Sequence, residues 1–327
     1  MNIYYNLLNK LSWRTIPRFQ TQNRFGKFYA TQGQALDPDV NRLISKRIND
    51  ERPLLIGRHG AVELRAITNI YANENRQNII SDSINFLLSK KAKFWEVDKN
   101  YKEKLCYNAG FFPNDEQFVR QFSHLFLENS RKIDIYGAST WVEHLMPKDF
   151  ISRDIPITYI KNLEPWFYSD PWSYQLKDQK VLVVYPLKDL IISQYKNKRQ
   201  EIFENPKVLP EFDLQVIEAV QTIAGTKSRF GDWFEALEYQ KEQMSKTDFD
   251  FAIIGAGAYG FPLAAHAKDL GKKAIHFGGA TQLLFGIKGK RWMQWERYNT
   301  LMNDKWVFPE EKDIPKGAEN IENNAYW

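Results

Sequence analysis

The chain of 327 residues has a single cysteine, Cys106, and five histidines. One thiol excludes an intrachain disulfide framework and any zinc site built on cysteine, and it fits a reducing cytoplasm. No spacing ties Cys106 to a histidine, so it is expected to be a small buried residue; a nucleophilic thiol needs an electropositive, base-assisted setting. The histidines show no zinc spacing such as His-x-x-x-His, and His124, His144 and His266 sit in helical patterns where a structural role is expected. No run of 18 or more apolar residues is free of charge or a glycine break, and no N-terminal apolar stretch ends in a small-residue cleavage site. The expectation is a cytoplasmic protein that neither spans a membrane nor is exported by the usual signal. Acid is also missing from the first 36 residues, which carry Lys10, Arg14, Arg18, Arg24 and Lys27 before the first carboxylate at Asp37. With Leu7, Leu8, Leu11 and Trp13 among them, this basic arm (residues 1–36) reads either as a segment packed on its own domain or as a peripheral contact for the anionic inner face of a membrane.

The rest of the composition, 43% hydrophobic and 26% charged, is that of a soluble globular chain. Aromatics at 15%, ten of them Trp, suit either a Trp-rich core or a surface that binds sugar or peptide. A net charge of +5 favours anionic ligands, and with no nucleic-acid module in the chain no nucleic-acid partner is expected.

Short apolar runs alternate with helical patterns. "PLLIG", "KIDIYGAST", "ITYI", "KVLVVYP", "LQVIEAV", "FDFAIIG" and "KKAIHFGG" read as strands. Helices are expected over "DPDVNRLISKRIND", with Val40, Leu43, Ile44 and Ile48 on one face, from about Ala61, over 83–95 and 115–129, near Trp141, and over "DWFEALEYQKEQMSK" and "PLAAHAKDL". This order predicts an α/β fold: a Rossmann-like, wound, mainly parallel sheet flanked by helices, forming one domain over residues 37–302. Residues 303–327 have turn formers, mixed charge and no periodicity, as expected of an irregular tail laid over the surface.

"FAIIGAGAYGFPLAAHAKDL" holds a Gly-x-Gly-x-x-Gly at Gly255, Gly257 and Gly260. Such glycines suit a tight turn that brings backbone to phosphate at a helix N-terminus, and Pro262 suits an early helical position. The dinucleotide fingerprint also expects an acid at the end of the next strand, to hold a ribose hydroxyl; His276 stands there instead. Too little chain follows for a second dinucleotide half, so the unit reads as a nucleotide-facing or purely structural turn and no NAD is expected. The next strand ends in Gly278 and Gly279, followed by Thr281 and Gln282 and by a basic loop with Lys288, Lys290 and Arg291. Ligands of wound sheets bind outside the carboxyl ends of strands, so these positions are diphosphate-site candidates, as are Tyr259 and His276.

"IGRHGAVELRAI" repeats the strand–turn–helix plan with Arg58, His59, Gly60 and Glu63. Glu63 falls in a first helical turn, where it serves as a cap, a general base or an oxygen ligand for a divalent ion. Arg58 is a candidate for pairing phosphate or holding Glu63. In "EPWFYSDPWSY", Trp166, Phe167 and Trp172 are candidate sugar-stacking groups and Glu164 and Asp170 candidate acceptor contacts, or the stretch is a Pro-punctuated packed loop. Tyr195, Lys198 and Arg199 follow a strand and are further phosphate candidates, or a charged helix face.

"RHGAVE" resembles the Arg-x-Gly-x-x-Glu motif of bacterial glycosyltransferases of the GT-D fold, and the block from Asp248 to Trp292 is similar to the closing βαβ segment of that group; the likeness extends over most of the chain, from about Leu54 to Trp292. The resemblance implies a Rossmann-like enzyme of the GT-D type. It would move a sugar from a nucleoside-diphosphate sugar to a glycan or lipid-linked acceptor in cell-surface polysaccharide biosynthesis. It implies Glu63 and Arg58 as catalytic residues and Mn2+ or Mg2+ at Glu63. The donor would lie by Gly60, Gly255, Gly257, Tyr259, Gly260, His276, Gly278, Gly279, Thr281, Gln282, Lys288, Lys290 and Arg291. Better-known members carry Asp-x-Glu within the motif, whereas here Ala61 stands at the Asp position and leaves Glu63 alone. An NAD(P)-dependent oxidoreductase and a non-catalytic nucleotide-sugar-binding partner are the alternatives.

Overall fold

The computed structural model describes residues 2–19, 36–147, 149–152, 154–318 and 326–327. Seven strands form one sheet: β1 (Leu54–Gly57), β2 (Ile135–Ala138), β3 (Ile157–Tyr159), β4 (Lys180–Tyr185), β5 (Asp213–Glu218), β6 (Phe251–Ile254) and β7 (Lys273–His276). Their spatial order is β3-β2-β1-β7-β6-β4-β5, and every neighbouring pair is parallel. This is the wound α/β architecture expected from the alternating pattern.

The helices are α1 (Asn2–Phe19), α2 (Pro38–Ile48), α3 (Ala61–Glu74), α4 (Ile79–Leu87), α5 (Lys99–Ala109), α6 (Glu116–Ser130), α7 (Lys188–Ile202), α8 (Trp233–Ser245) and α9 (Gly260–Asp269), followed by the short α10 (Ala280–Leu284), α11 (Lys290–Met293) and α12 (Glu296–Asn299). They cover both faces of the sheet, which is why the central strands are continuous apolar runs rather than alternating ones. Leu55, Leu182, Val184, Ala252, Ile254 and Ala274 point to one face and pack with α3, α5, α6, α8 and α9. Leu54, Ile56, Val181, Val183, Phe251, Ile253 and Ile275 point to the other and pack with α2 and α7. Fully burying each such side chain stabilises the fold by about 1.5–3 kcal/mol. The outer strands are weaker: β3 has three residues and β5 is only partly buried.

Several elements differ from the sequence expectation. The helix expected over 83–95 is α4, which starts earlier because the Asn78 side chain accepts the backbone N–H groups of Ile80 and Ser81. It stops by Leu88, and Ser89 turns the chain with φ 54°. Near Trp141 there is only a 3₁₀ turn, Trp141–Leu145, closed by a Thr140–Glu143 capping box. Helix α5 was not expected; Asp98 caps its start and left-handed Gly110 its end. The N-terminal arm is helical over Asn2–Phe19, while Arg24 and Lys27 lie outside the described residues. The tail is anchored rather than merely laid on the surface: Trp306, Ala318 and Trp327 are buried, and Val307 bridges Ile287. No described helix is long and apolar enough to cross a membrane.

Candidate functional site

From β1 the chain runs outward through β2 to β3, and β7 returns on the other side of β1. Loops leaving the carboxyl ends of β1 and β7 therefore diverge, and a crevice opens between them. A cleft of about 470 Å³ lies there, within the usual range for a small-molecule site. Its wall takes Arg58, Gly60 and Glu63 from the end of β1, Gly255 and Gly257 after β6, and His276, Gly278 and Gly279 from the end of β7.

The Arg58 guanidinium lies against Gly278, where a Cβ would overlap it. Only a glycine at φ 60° leaves that space. The Arg58 Nε is buried and has no hydrogen-bond partner. A buried N–H on a cation costs free energy unless a ligand or water satisfies it, and an anionic acceptor does so best. Beside it, helix α3 points its N-terminus into the cleft; its N-cap, Gly60, supplies no side-chain cap. The Glu63 carboxylate, 8% exposed, folds back over Gly60, leaving no room for a side chain at that position. Arg58, Lys161 and Arg291 line the cleft against the carboxylates Glu63 and Glu164.

The neighbouring histidines are neutral struts. His276 Nδ1–H donates to the Arg58 carbonyl at 2.8 Å, and burial together with the Arg58 charge holds its pKa well below the ordinary value. His59 points into the core rather than the cleft. The Ser130 hydroxyl donates to the Phe126 carbonyl (2.7 Å), so His59 donates Nε2–H to Ser130 (3.0 Å) and accepts the Tyr136 hydroxyl at Nδ1 (3.0 Å). Burial, then the Arg58 charge, lowers its pKa to about 3. The Cys106 thiol is pushed up to about 11 by burial.

The glycine motif is taken up by packing. A Cβ on Gly255 would overlap the Gly278 carbonyl oxygen, one on Gly257 (φ 52°) would meet the Ala109 carbonyl at 2.8 Å, and one on Gly260 would meet His276 Nε2 at 2.7 Å. Gly255 and Gly257 still border the cleft, but Gly260 is buried behind them. Tyr259, expected beside a donor, faces the core: its ring stacks on Trp233 at 5.1 Å and its hydroxyl is 3.1 Å from that of Thr222. Thr281 is fully buried beneath Gly255 and its hydroxyl has no partner.

Of the basic loop, only Arg291 lines the cleft. Lys288 lies over the Phe308 ring and Lys290 is exposed elsewhere. Gln282 works as a fastener: its Oε1 accepts the Tyr185 hydroxyl (2.7 Å), and its Nε2 donates to the carbonyls of Lys288 (2.9 Å) and Tyr326 (3.2 Å). Tyr326 thereby packs on Gly279 and Trp292, with Arg291 donating to its hydroxyl at 2.9 Å. The tail's closing aromatics are thus part of the cleft wall.

Trp166 and Trp172 are buried away from the cleft, Phe167 lies under Arg297, and Asp170 pairs with Lys207 at the surface. Arg199 pairs with Glu211, and the Tyr195 hydroxyl bonds to the backbone of Pro210 and Phe212; none of Tyr195, Lys198 and Arg199 reaches the cleft. Glu164 does. It accepts the Tyr298 hydroxyl (2.7 and 2.8 Å) and Lys161 Nζ (3.2 Å), and burial raises its pKa. Sequence reasoning missed Lys161, Ser139, Thr140, Tyr185, Trp292 and the exposed Trp295, all on the wall. Ser139 and Thr140 were findable, since they follow a strand by the same rule that selected Arg58.

Among the described residues no group of three His, Cys, Asp or Glu side chains is placed to hold a metal. Glu63 and Glu164 both line the cleft, and the oxygens of Glu164 are engaged by Tyr298 and Lys161. The side chains thus do not form a cage for the Mn2+ or Mg2+ that the motif resemblance implies.

No family model and no curated protein matches the chain. A solved structure described as "Selenomethionine substituted structure of domain of unknown function 1792 (DUF1792)" is similar, with a TM-score of 0.38 and 11% identity over 84% of this chain and 87% of that one.

Proposed function

We propose that the protein is a glycosyltransferase that takes its sugar from a nucleoside-diphosphate sugar and gives it to a glycan or lipid-linked acceptor of cell-surface polysaccharide. The observation that carries this reading is Arg58: a cation held at the sheet's switch point with a buried, unpartnered Nε, beside the N-terminus of α3, which the Glu63 carboxylate overlies. Both favour a diphosphate. The likeness of "RHGAVE" to the GT-D motif supports the same assignment.

In this reading the acceptor oxygen forms its bond to the anomeric carbon as the bond from that carbon to the donor phosphate oxygen breaks. The electron pair leaves with the nucleoside diphosphate, whose growing charge Arg58, Arg291 and the α3 N-terminus offset. Glu63 takes the acceptor proton. The space beside the glycines of the Gly-x-Gly-x-x-Gly turn is filled by protein atoms, and β7 ends in His276 rather than an acid, so neither part of the dinucleotide fingerprint supports an oxidoreductase.

The test is thermal stability against UDP-, GDP-, CMP- and dTDP-linked sugars and NAD(P)H, each with and without manganese, since a ligand that binds the native state raises the melting point. Stabilisation by one nucleotide sugar, with nucleoside diphosphate released by the wild type and not by Glu63→Gln, is the expected result. Stabilisation by NADH alone would overturn the reading. Binding of a nucleotide sugar without turnover, with every acceptor class tried, would make the protein a non-catalytic partner.

A further inference from the structure

Helices α1 and α4 lie side by side at the surface. The Tyr4 hydroxyl donates to Ser83 Oγ at 2.8 Å, Tyr5 stacks on Trp95 at 4.7 Å, and Leu8 is buried. These contacts turn one side of α1 inward. The adjoining flank presents Ile3, Leu7 and Leu11, spaced at four residues, with 79%, 55% and 47% of their surface exposed. Next to them α4 presents Ile79, Ile80 and Ile84, the second of these 66% exposed. Scattered exposed aliphatics are ordinary; six on two adjoining helices mark an interaction surface.

Charge selects the partner. The sequence from residue 1 to 36 contains Lys10, Arg14, Arg18, Arg24 and Lys27 and no acid. A second copy meeting this face would bring two such cationic segments together. An anionic bilayer instead accepts aliphatic side chains at its acyl boundary and cations at its headgroups. We propose that the face formed by Ile3, Leu7, Leu11, Ile79, Ile80 and Ile84 docks on an anionic phospholipid surface, with the basic segment against the headgroups. This docking is independent of what the cleft binds.

The experiment is co-sedimentation of the full chain with phosphatidylcholine vesicles, with and without about a third phosphatidylglycerol. Binding is expected to the anionic vesicles only, weakened about tenfold at high salt. It should fall by about tenfold or more in a Leu7→Glu/Ile80→Glu double variant with an unchanged melting point. If that variant does not fold, Ile80→Glu alone, at a highly exposed position, serves the same purpose. Failure of the wild type to sediment with anionic vesicles would overturn the proposal, as would sedimentation that these substitutions leave unchanged. So would a dimer on size exclusion that the substitutions dissociate, in a protein that ignores vesicles.

Discussion

His276 Nδ1 lies 2.8 Å from the carbonyl oxygen of Arg58, so the end of β7 is pinned to the end of β1 at the point where the cleft opens. The bond sets the tautomer: with its proton on Nδ1, the ring turns Nε2 toward Gly260. Arg58 is therefore held through its backbone on the cleft wall, and its Nε has no protein partner, as a preorganised anion site requires.

Burial keeps both His276 and His59 neutral in the folded protein. Their folded pKa values are depressed, so the unfolded chain takes up protons near 6.5 that the native state refuses. Stability is then full above about pH 6.5 and declines as the pH falls, for His59 down to about 3. His59 alone should cost roughly 1 kcal/mol by about pH 5.5, and His276 acts in the same direction. Urea unfolding at neutral and mildly acid pH checks this: His59→Gln, which keeps a polar group but cannot titrate, should narrow its stability gap to wild type on acidification. A constant gap would show that His59 is not the titrating group.

Replacing Arg58 by Ala should weaken binding of a nucleoside-diphosphate sugar by about 10- to 100-fold, the worth of a charge-assisted hydrogen bond to phosphate. Arg58→Lys should recover only part of it, because a point charge does not replace the guanidinium fork. Isothermal titration provides the readout. Equal affinities for wild type and Arg58→Ala would mean that the ligand's charge sits elsewhere in the cleft.

The sheet was legible because its strands are short apolar runs between turn formers, and burial on both faces demands that pattern. That Arg58, Gly278 and Gly279 come together on one cleft wall was legible from their common position at strand carboxyl ends. Tyr259 was misplaced because position in a motif does not reveal which way a side chain faces; stacking on Trp233 decided that. The wall built by Lys161, Trp295 and Tyr326 was illegible, since each arrives from an irregular segment with no period. The end of α4 was misjudged because Ser89 adopts a left-handed conformation that its residue type does not announce.

Gly255→Ala separates a structural glycine from a phosphate-binding one. Its Cβ would press on the Gly278 carbonyl, a backbone atom that cannot rotate away. The ligand-free protein should lose about 1–3 kcal/mol of stability, as overpacked sites do. A variant with unchanged melting behaviour but lost nucleotide affinity would return the motif to ligand contact.

Trp295 is the exposed aromatic on the cleft rim, with 63% of its surface free. Sugar rings and nucleobases both present flat faces to such a group, and an aromatic contact of this kind is worth about 0.5–1.5 kcal/mol beyond area burial. Trp295→Ala removes no buried packing, so its stability should stay within about 0.5 kcal/mol of wild type. Donor or acceptor affinity should nevertheless fall about three- to tenfold. Measuring the two affinities separately assigns the ring: loss for the nucleotide sugar alone puts it against the donor, loss for the acceptor alone against the incoming hydroxyl's sugar. If neither affinity changes, the rim at Trp295 is outside the site and the ligand lies deeper, between Arg58 and Glu164.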